Sequence, residues 1–222
     1  MAVEARTEVL RRIRAAIGVA SDGDADGEMI AAEWERLPRG YKRAASLGWE
    51  EILDLLEDRL RDYDATVVRV KAGEVSAQIA RMLAARGKRR LVVPAGLAEA
   101  LSEPLPHGFE FVVDEGFSAA ELDEFEGVVT ASTLAIAETG TIVLQRVPGQ
   151  GRRAPTLIPD YHLCVVQAAD VVETVPEAMA RLGPTASLAT TFISGPSATA
   201  DIEMTRIKGV HGPRFLDVIL VE

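Results

Sequence analysis

Apolar residues at helical spacing mark two early stretches of the chain. In residues 1–20 they recur at intervals of a helix and stop at Gly18, which predicts an N-terminal helical arm. In residues 49–61 a second apolar stripe predicts a helix that faces the core of a domain. Between them, residues 21–48 open with SDGDADGE, a composition that predicts a polar linker. The main domain is therefore expected to span residues 49–222.

Short β-rich runs alternate with helical runs through this main domain. TVVRV, RLVVPA and FEFVV are separated by helix-length segments. Such separations require crossover connections and predict a largely parallel sheet with helices on both faces. The later run GVVTASTLAIAETGTIVLQ has several β signals and no helix-length insert, so a hairpin or bent strand pair is expected there. The predicted fold class is α/β, a three-layer sandwich around a mostly parallel, mixed central sheet.

The composition and net charge of the chain argue against several classes of function. The chain has 222 residues with 48% apolar content, a formal net charge of −10 and a pI near 4.9. Because an acidic surface repels a phosphate backbone, nucleic acid is not an expected partner. No run approaches the roughly 18 apolar residues of a membrane span, and the start mixes acids with bases, which predicts a cytoplasmic protein. The single cysteine, Cys164, excludes an internal disulfide and a thiolate zinc site, and we expect it to be buried.

The stretch ISGPSATADIEMTRIKGVHGP is the first candidate for chemistry. It lies between the strand signals TTFI and FLDVILVE, and we expect it at the carboxyl end of a strand, where open α/β sheets bind ligands. Gly195 lets a ligand approach the backbone, and Pro196 fixes φ. Ser194, Ser197 and Thr199 offer hydroxyl groups beside the start of an expected short helix. This arrangement suits a carboxylate or phosphate, and the alternative is an ordinary helix cap.

The segment AIAETGTIVL is the second candidate, because its alternation predicts a buried hairpin with Glu138 at the turn. A buried carboxylate without a partner is costly, so Glu138 is paired, exposed or functional. If it faces a cleft, it is the best candidate for a nucleophile or general base. Thr139 and Thr141 would then be hydroxyl donors, and Gly140 permits the turn. The alternative is an exposed acid in an ordinary turn.

Two of the three histidines border loops that we expect at strand ends. His211 lies in GVHGP, directly before Gly212, and His162 lies in PDYHL at the entrance to a strand. Either can shuttle protons near neutral pH or hydrogen-bond a loop carbonyl. Their spacing resembles no compact ligand motif, so no metal site is expected. His107 is expected in a surface loop.

The segment VPGQGRRAP is locally basic in an acidic protein. Its glycines and prolines are typical of a flexible connection. Arg152 and Arg153 can cover an acidic ligand as a lid. The alternative is a solvated connection between two strands.

The order and spacing of three motifs resemble a known family. AIAETGTIVL, LIPDYH and SGPSATADIEMTRIKGVHGP resemble the LutC/YkgG group of lactate-utilisation proteins, the LUD-domain family, over roughly residues 50–222. The resemblance implies a fold similar to the NagB/RpiA and CoA-transferase-like superfamily. It also implies a role in oxidising L-lactate to pyruvate beside two partner proteins that carry iron–sulfur centres.

The resemblance also selects candidate site residues. It matches Glu138 and the two residues after it to the family's Glu-Thr-Gly turn, and it matches residues within 194–213 to the C-terminal loop. On this basis Glu138, Asp201 and His211 are the candidate catalytic residues. The candidate substrate-binding residues are Thr139, Gly140, Thr141, His162, Ser194, Gly195, Pro196, Ser197, Thr199 and Gly212. The two motifs are expected to face each other around a small acidic molecule.

Three functions fit these residues. The first is an accessory subunit of lactate oxidation, because the chain has no flavin, nicotinamide or iron–sulfur signature and the reaction needs an electron acceptor. No cofactor is then expected in this chain, and iron–sulfur proteins are its expected partners. The second is a self-sufficient CoA-transferase-like or sugar-phosphate-isomerase-like enzyme that uses Glu138. The third is a sensor that binds a small acid without turnover, and a homo-oligomer is compatible with all three.

Overall fold

The computed structural model of the chain describes residues 2–16, 23–200, 206–208 and 212–222. The chain divides into two units, Met1–Tyr41 and Lys42–Glu222. Among the described residues, no helix combines the length and the apolar character that crossing a membrane requires.

The described part of the first unit has two helices, α1 (Ala2–Ala16) and α2 (Gly23–Arg36). The second helix occupies the stretch that was predicted to be a polar linker. Carboxylates are favourable in the first turn of a helix, and the alanine and glutamate residues that follow are good helix formers. The sequence analysis placed no helix here, although Ile30 and Trp34 stand at helical spacing. The role of residues 21–48 as a linker stays a prediction.

The second unit contains the remaining elements. They are α3 (Trp49–Asp62), β1 (Thr66–Val70), α4 (Val75–Ala85), β2 (Arg90–Val93), α5 (Leu97–Leu101), β3 (Glu110–Val113), α6 (Ala119–Asp123), β4 (Gly127–Ala131), β5 (Leu134–Ile136), β6 (Thr141–Gln145), β7 (Tyr161–Gln167), β8 (Val171–Val172), α7 (Val175–Leu182), β9 (Thr190–Ile193), β10 (Ala198–Ala200), β11 (Arg206–Lys208) and β12 (Phe215–Val221).

The central sheet has six strands in the order β1-β12-β7-β4-β2-β3, and every neighbouring pair is parallel. The mostly parallel α/β fold predicted from the sequence is therefore confirmed. The antiparallel pairs, which the prediction placed in the same mixed sheet, form a second sheet in the order β8-β5-β6-β9. The hairpin of AIAETGTIVL lies in this second sheet, and its strands are buried on both faces because the sheet packs between two layers.

Helices and the second sheet cover the two faces of the central sheet. On one face, α4 and α5 bury apolar side chains that include Ile79, Leu83 and Leu97. On the other face, α3 and the inner side of the second sheet enclose a second core with Cys164, which is buried as the sequence predicted. The α7 helix covers the outer side of the second sheet. Burial of this apolar area is the main favourable term in folding.

Candidate functional site

The two segments singled out by the sequence lie side by side in the structure. Strand β9 pairs antiparallel with β6, and this register brings the loop after β9 next to the turn before β6. The Thr141 Oγ1 lies 2.7 Å from the Ser194 Oγ and, on its other side, 2.7 Å from the Thr139 Oγ1. Three hydroxyl groups thus form a row of hydrogen bonds that joins the Glu-Thr-Gly turn to the Ser-Gly-Pro-Ser loop.

Two glycines allow both turns to press against the end of α3. Gly140 has φ +55° and Gly195 has φ +83°, values that favour glycine. A Cβ on Gly140 would lie 2.8 Å from the Cβ of Arg59, and one on Gly195 would lie 2.4 Å from the Cβ of Tyr63. Any larger residue would therefore push the turn away from the helix.

A cavity of about 280 Å³ opens beside the Ser-Gly-Pro-Ser loop, and we call it the Ser194 cavity. Six of the predicted substrate-binding residues line it, namely His162, Ser194, Gly195, Pro196, Ser197 and Gly212. Arg153 and Thr156 also line it. His162 and Leu216 place it at the amino ends of β7 and β12. The loop follows the carboxyl end of a strand, as expected, but that strand is β9 of the second sheet, so the cavity does not lie at the carboxyl ends of the central parallel strands.

The other predicted residues lie outside this lining or outside the described residues. Glu138, Thr139, Gly140 and Thr141 adjoin the loop but do not line the Ser194 cavity. Asp201 and His211 lie outside the described residues, as does the side chain of Thr199. Residues 198–200 form strand β10, which pairs antiparallel with β11, where a short helix was expected. The helix-cap alternative for Ser197 and Thr199 therefore fails as well.

His162 is a buried, neutral member of the cavity wall. Its Nε2 lies 2.8 Å from the Thr130 Oγ1. Burial, together with the positive charge of Arg153, lowers the pKa of His162 to about 3. The imidazole is thus uncharged near neutral pH, which suits hydrogen bonding to a ligand better than the proton shuttling that we considered.

The two adjacent arginines take different partners. Arg153 donates to the carbonyl and hydroxyl oxygens of Thr156 at 2.8 and 2.9 Å, and it lines the Ser194 cavity. Arg152 instead makes a two-pronged ion pair with Asp114, with distances of 2.7 and 2.8 Å. Of these two arginines, only Arg153 therefore lines this cavity, so they do not act together as the single lid that the sequence offered as one of two alternatives.

Glu138 is engaged by a cation that the sequence analysis did not connect with it. Its Oε1 accepts a hydrogen bond from the Lys42 Nζ at 3.0 Å, and the same ammonium group also contacts Glu173. The sequence left Glu138 as paired, exposed or functional, and in the structure its carboxylate is paired with Lys42.

Glu173 is the main residue that sequence reasoning missed. Its buried carboxylate accepts from the backbone N–H of Ser46 at 2.6 Å and from that of Leu47 at 3.0 Å, besides Lys42. Burial works to raise its pKa, but the donors from Leu47, Lys42 and Ser46 outweigh burial and lower the pKa to about 2. An acid placed directly after the apolar pair Val171–Val172 is the signal that could have revealed a buried, satisfied carboxylate.

Comparisons with known proteins give the family. The model of the LUD domain matches residues 112–221. "Lactate utilization protein C" of Deinococcus radiodurans is 44% identical over 84% of this chain and 87% of that protein. The protein of the same name from Geobacillus kaustophilus is 26% identical over 85% of each chain. The crystal structure of a DUF162 family protein from Deinococcus radiodurans matches with a TM-score of 0.69 and 40% identity, covering 80% of this chain and 100% of that one.

Proposed function

The chain belongs to the LUD domain family, and we propose that it works as an accessory protein that binds a small carboxylate in the Ser194 cavity. The name that its relatives share indicates a role in lactate utilisation. Within that role, the bound molecule is a 2-hydroxy or 2-oxo acid such as L-lactate or pyruvate. Partner proteins with iron–sulfur centres take up the electrons.

The observation that carries this proposal is the set of groups around the cavity. The Arg153 guanidinium has five N–H donors, of which Thr156 occupies only part, so a carboxylate can pair with the others. Ser194 adds a hydroxyl group from the opposite loop. A cation and a hydroxyl donor around a small hollow provide the charge-assisted hydrogen bonds that a carboxylate requires.

The neutral His162 supports recognition of the second oxygen of such an acid. A hydroxyl or keto oxygen is uncharged, and a neutral imidazole hydrogen-bonds it without presenting a second positive charge. The hydrogen bond to Thr130 fixes the plane of the ring. The wall therefore offers one charged and one neutral contact, which matches the two ends of a 2-hydroxy acid.

The electron balance of the reaction supports a role for other proteins in electron transfer. Converting a 2-hydroxy acid into a 2-oxo acid releases two electrons and two protons. Guanidinium, hydroxyl and neutral imidazole groups bind and orient a substrate, but they accept no electrons. We therefore assign to this chain the holding of the acid and to its partners the redox step.

Calorimetric titration with L-lactate and with pyruvate tests the binding site. Changing Arg153 to Ala is expected to weaken binding of both acids about tenfold or more, because a hydrogen bond to a charged group contributes about 1.5–3 kcal/mol. Arg89→Ala is the matched control, since Arg89 is an exposed arginine that does not line the cavity. Unchanged affinity in Arg153→Ala, or no binding of either acid to the natural chain, would refute the site.

The accessory role has a separate readout in the same preparation. With L-lactate and an artificial electron acceptor, the purified chain is expected to form no pyruvate until the iron–sulfur partners are added. Steady turnover by the chain alone would contradict the accessory role while leaving the binding site intact.

A further inference from the structure

A second cavity, of about 620 Å³, opens at the carboxyl ends of β2 and β3, and we call it the β2–β3 cavity. Its walls come from three segments, each of which follows a strand. They are Pro94–Gly96 after the buried strand β2, Asp114–Gly116 after the half-exposed edge strand β3, and residues of the loop between Arg146 and Arg152 after the buried strand β6. The Ser194 cavity shares none of these residues, so the two hollows are separate places for ligands.

The order of the strands explains where the loop after β6, which forms one wall of this cavity, crosses the central sheet. The connection from β2 leads outward through α5 to the edge strand β3, whereas the chain after β4 continues toward β7 on the other side. Between β4 and β2, successive connections therefore diverge. In open parallel sheets, the carboxyl ends of such diverging strands leave a crevice. Here the loop around Gly149 bridges that crevice, and the β2–β3 cavity lies beside the loop, at the ends of β2 and β3.

The loop from Arg146 to Arg152 is fixed over this crevice by backbone hydrogen bonds. Gly149 donates its N–H to the carbonyl of Ala95 at 2.8 Å, and Ala131 donates its N–H to the carbonyl of Gly149 at 2.8 Å. Gly149 has φ +80°, and a Cβ there would lie 2.4 Å from the Cβ of Ala100. The loop thus ties the end of β2 to the end of β4, and the cavity is preformed.

Two oppositely charged side chains at the β2–β3 cavity are available to pair with a ligand. Arg152 and Asp114 neutralise each other in their ion pair, and Arg152 also donates to the Phe117 carbonyl at 2.6 Å. Arg146, on the loop side, is exposed and has no side-chain hydrogen bond or ion pair within the described residues. Glu115, on the β3 side, is likewise exposed and unpaired among them. The wall therefore offers one cation and one anion.

The surface between these charges is apolar. Pro94, Ala95, Val147 and Pro148 line it. We propose that the β2–β3 cavity binds a small zwitterion with an apolar side chain, such as an apolar amino acid. Arg146 meets the carboxylate, Glu115 meets the ammonium group, and the side chain packs on the apolar wall.

Three matched probes test this proposal by calorimetry on the full chain. L-Leucine carries both charges, 4-methylpentanoate lacks the ammonium group, and 3-methylbutylamine lacks the carboxylate. L-Leucine is expected to bind about fivefold more tightly than either single-charge probe, since an ion pair near a surface contributes up to about 1 kcal/mol. Equal binding of L-leucine and one of the single-charge probes, or no binding of any, would overturn the proposal.

Two variants assign the charges to the two ends of the probe. In Arg146→Ala, L-leucine should bind no better than 3-methylbutylamine, and in Glu115→Gln it should bind no better than 4-methylpentanoate. A reversed pattern would contradict the assignment. Arg153→Ala, which alters the Ser194 cavity, should leave L-leucine binding unchanged. Loss of L-leucine binding and loss of L-lactate binding are therefore distinguishable failures.

Discussion

Glu173 and His162 are both buried ionisable side chains, with exposed fractions of 0% and 1%, and in both the pKa is lowered. The consequences are opposite, because a low pKa keeps a carboxylate charged and keeps an imidazole neutral. The Glu173 carboxylate accepts hydrogen bonds from Lys42 and from backbone N–H groups. The His162 ring is instead hydrogen-bonded to one hydroxyl group and lies near the positive charge of Arg153. Burial alone therefore does not decide the charge of a group, and the partners that the fold brings to it do.

Removing Glu173 is expected to have the largest effect on stability. Glu173→Ala should lower the free energy of unfolding by about 3 kcal/mol, because it leaves backbone donors and Lys42 without their acceptor. Glu173→Gln keeps the shape and one acceptor oxygen, so it should cost less than Glu173→Ala, about 2 kcal/mol, because its NH2 group cannot accept the hydrogen bonds made to the second carboxylate oxygen. Urea unfolding at neutral pH measures both values.

An exposed acid provides the control for this comparison. Glu99 lies in α5 and is exposed, so Glu99→Ala should change stability by no more than about 0.5 kcal/mol. If Glu173→Ala lowered the free energy of unfolding no more than the control, the buried carboxylate would not stabilise the segment from Lys42 to Leu47. The contrast between Glu173 and His162 would then be refuted.

Acid should act on the two groups in different pH ranges. The unfolded histidine gains a proton as pH falls below 6.5, but the folded one does not until about 3, so acid favours the unfolded state across that range. The titration of His162 alone should therefore lower the free energy of unfolding by about 2 kcal/mol as pH falls from about 6.5 to about 5. The contribution of Glu173 is complete above its unfolded pKa of 4.5 and is lost as pH falls toward about 2.

His162→Gln separates these ranges, since glutamine keeps a polar group and cannot titrate. The variant should show a shallower fall in unfolding free energy between about pH 6.5 and about pH 5 than the natural chain. Glu173→Gln should keep the natural slope in that range and flatten the curve only below about pH 4.5. Equal slopes in the His162 variant and the natural chain would show that the imidazole is protonated in the folded state.

The smallest expected effect comes from the partner of the imidazole. Thr130→Val keeps the side-chain volume and removes the hydroxyl group near the Nε2 of His162, which should cost about 1 kcal/mol. Combining it with His162→Gln in a double-mutant cycle isolates the hydrogen bond. Additive effects would mean that the hydroxyl group does not stabilise the ring.

The sequence predicted the elements of the main domain better than it predicted the site. Apolar spacing identified α3 and the parallel strands, because each pattern is contained within its own segment. Glu173 was missed because its donors, Lys42 to Leu47, lie more than 120 residues earlier in the chain. The position of Ser194 at the amino ends of β7 and β12 depends on which sheet β9 joins, and only the assembled fold decides that.

The row of hydroxyls from Thr139 through Thr141 to Ser194 has a direction as well as a position. Each hydroxyl donates one proton, and Thr141 can also turn its proton toward the Thr139 carbonyl, 3.3 Å away. An acceptor in the cavity that takes the Ser194 proton would leave Ser194 accepting from Thr141, and Thr141 from Thr139. A bound anion would thus align all three O–H dipoles toward itself, and each would polarise the next.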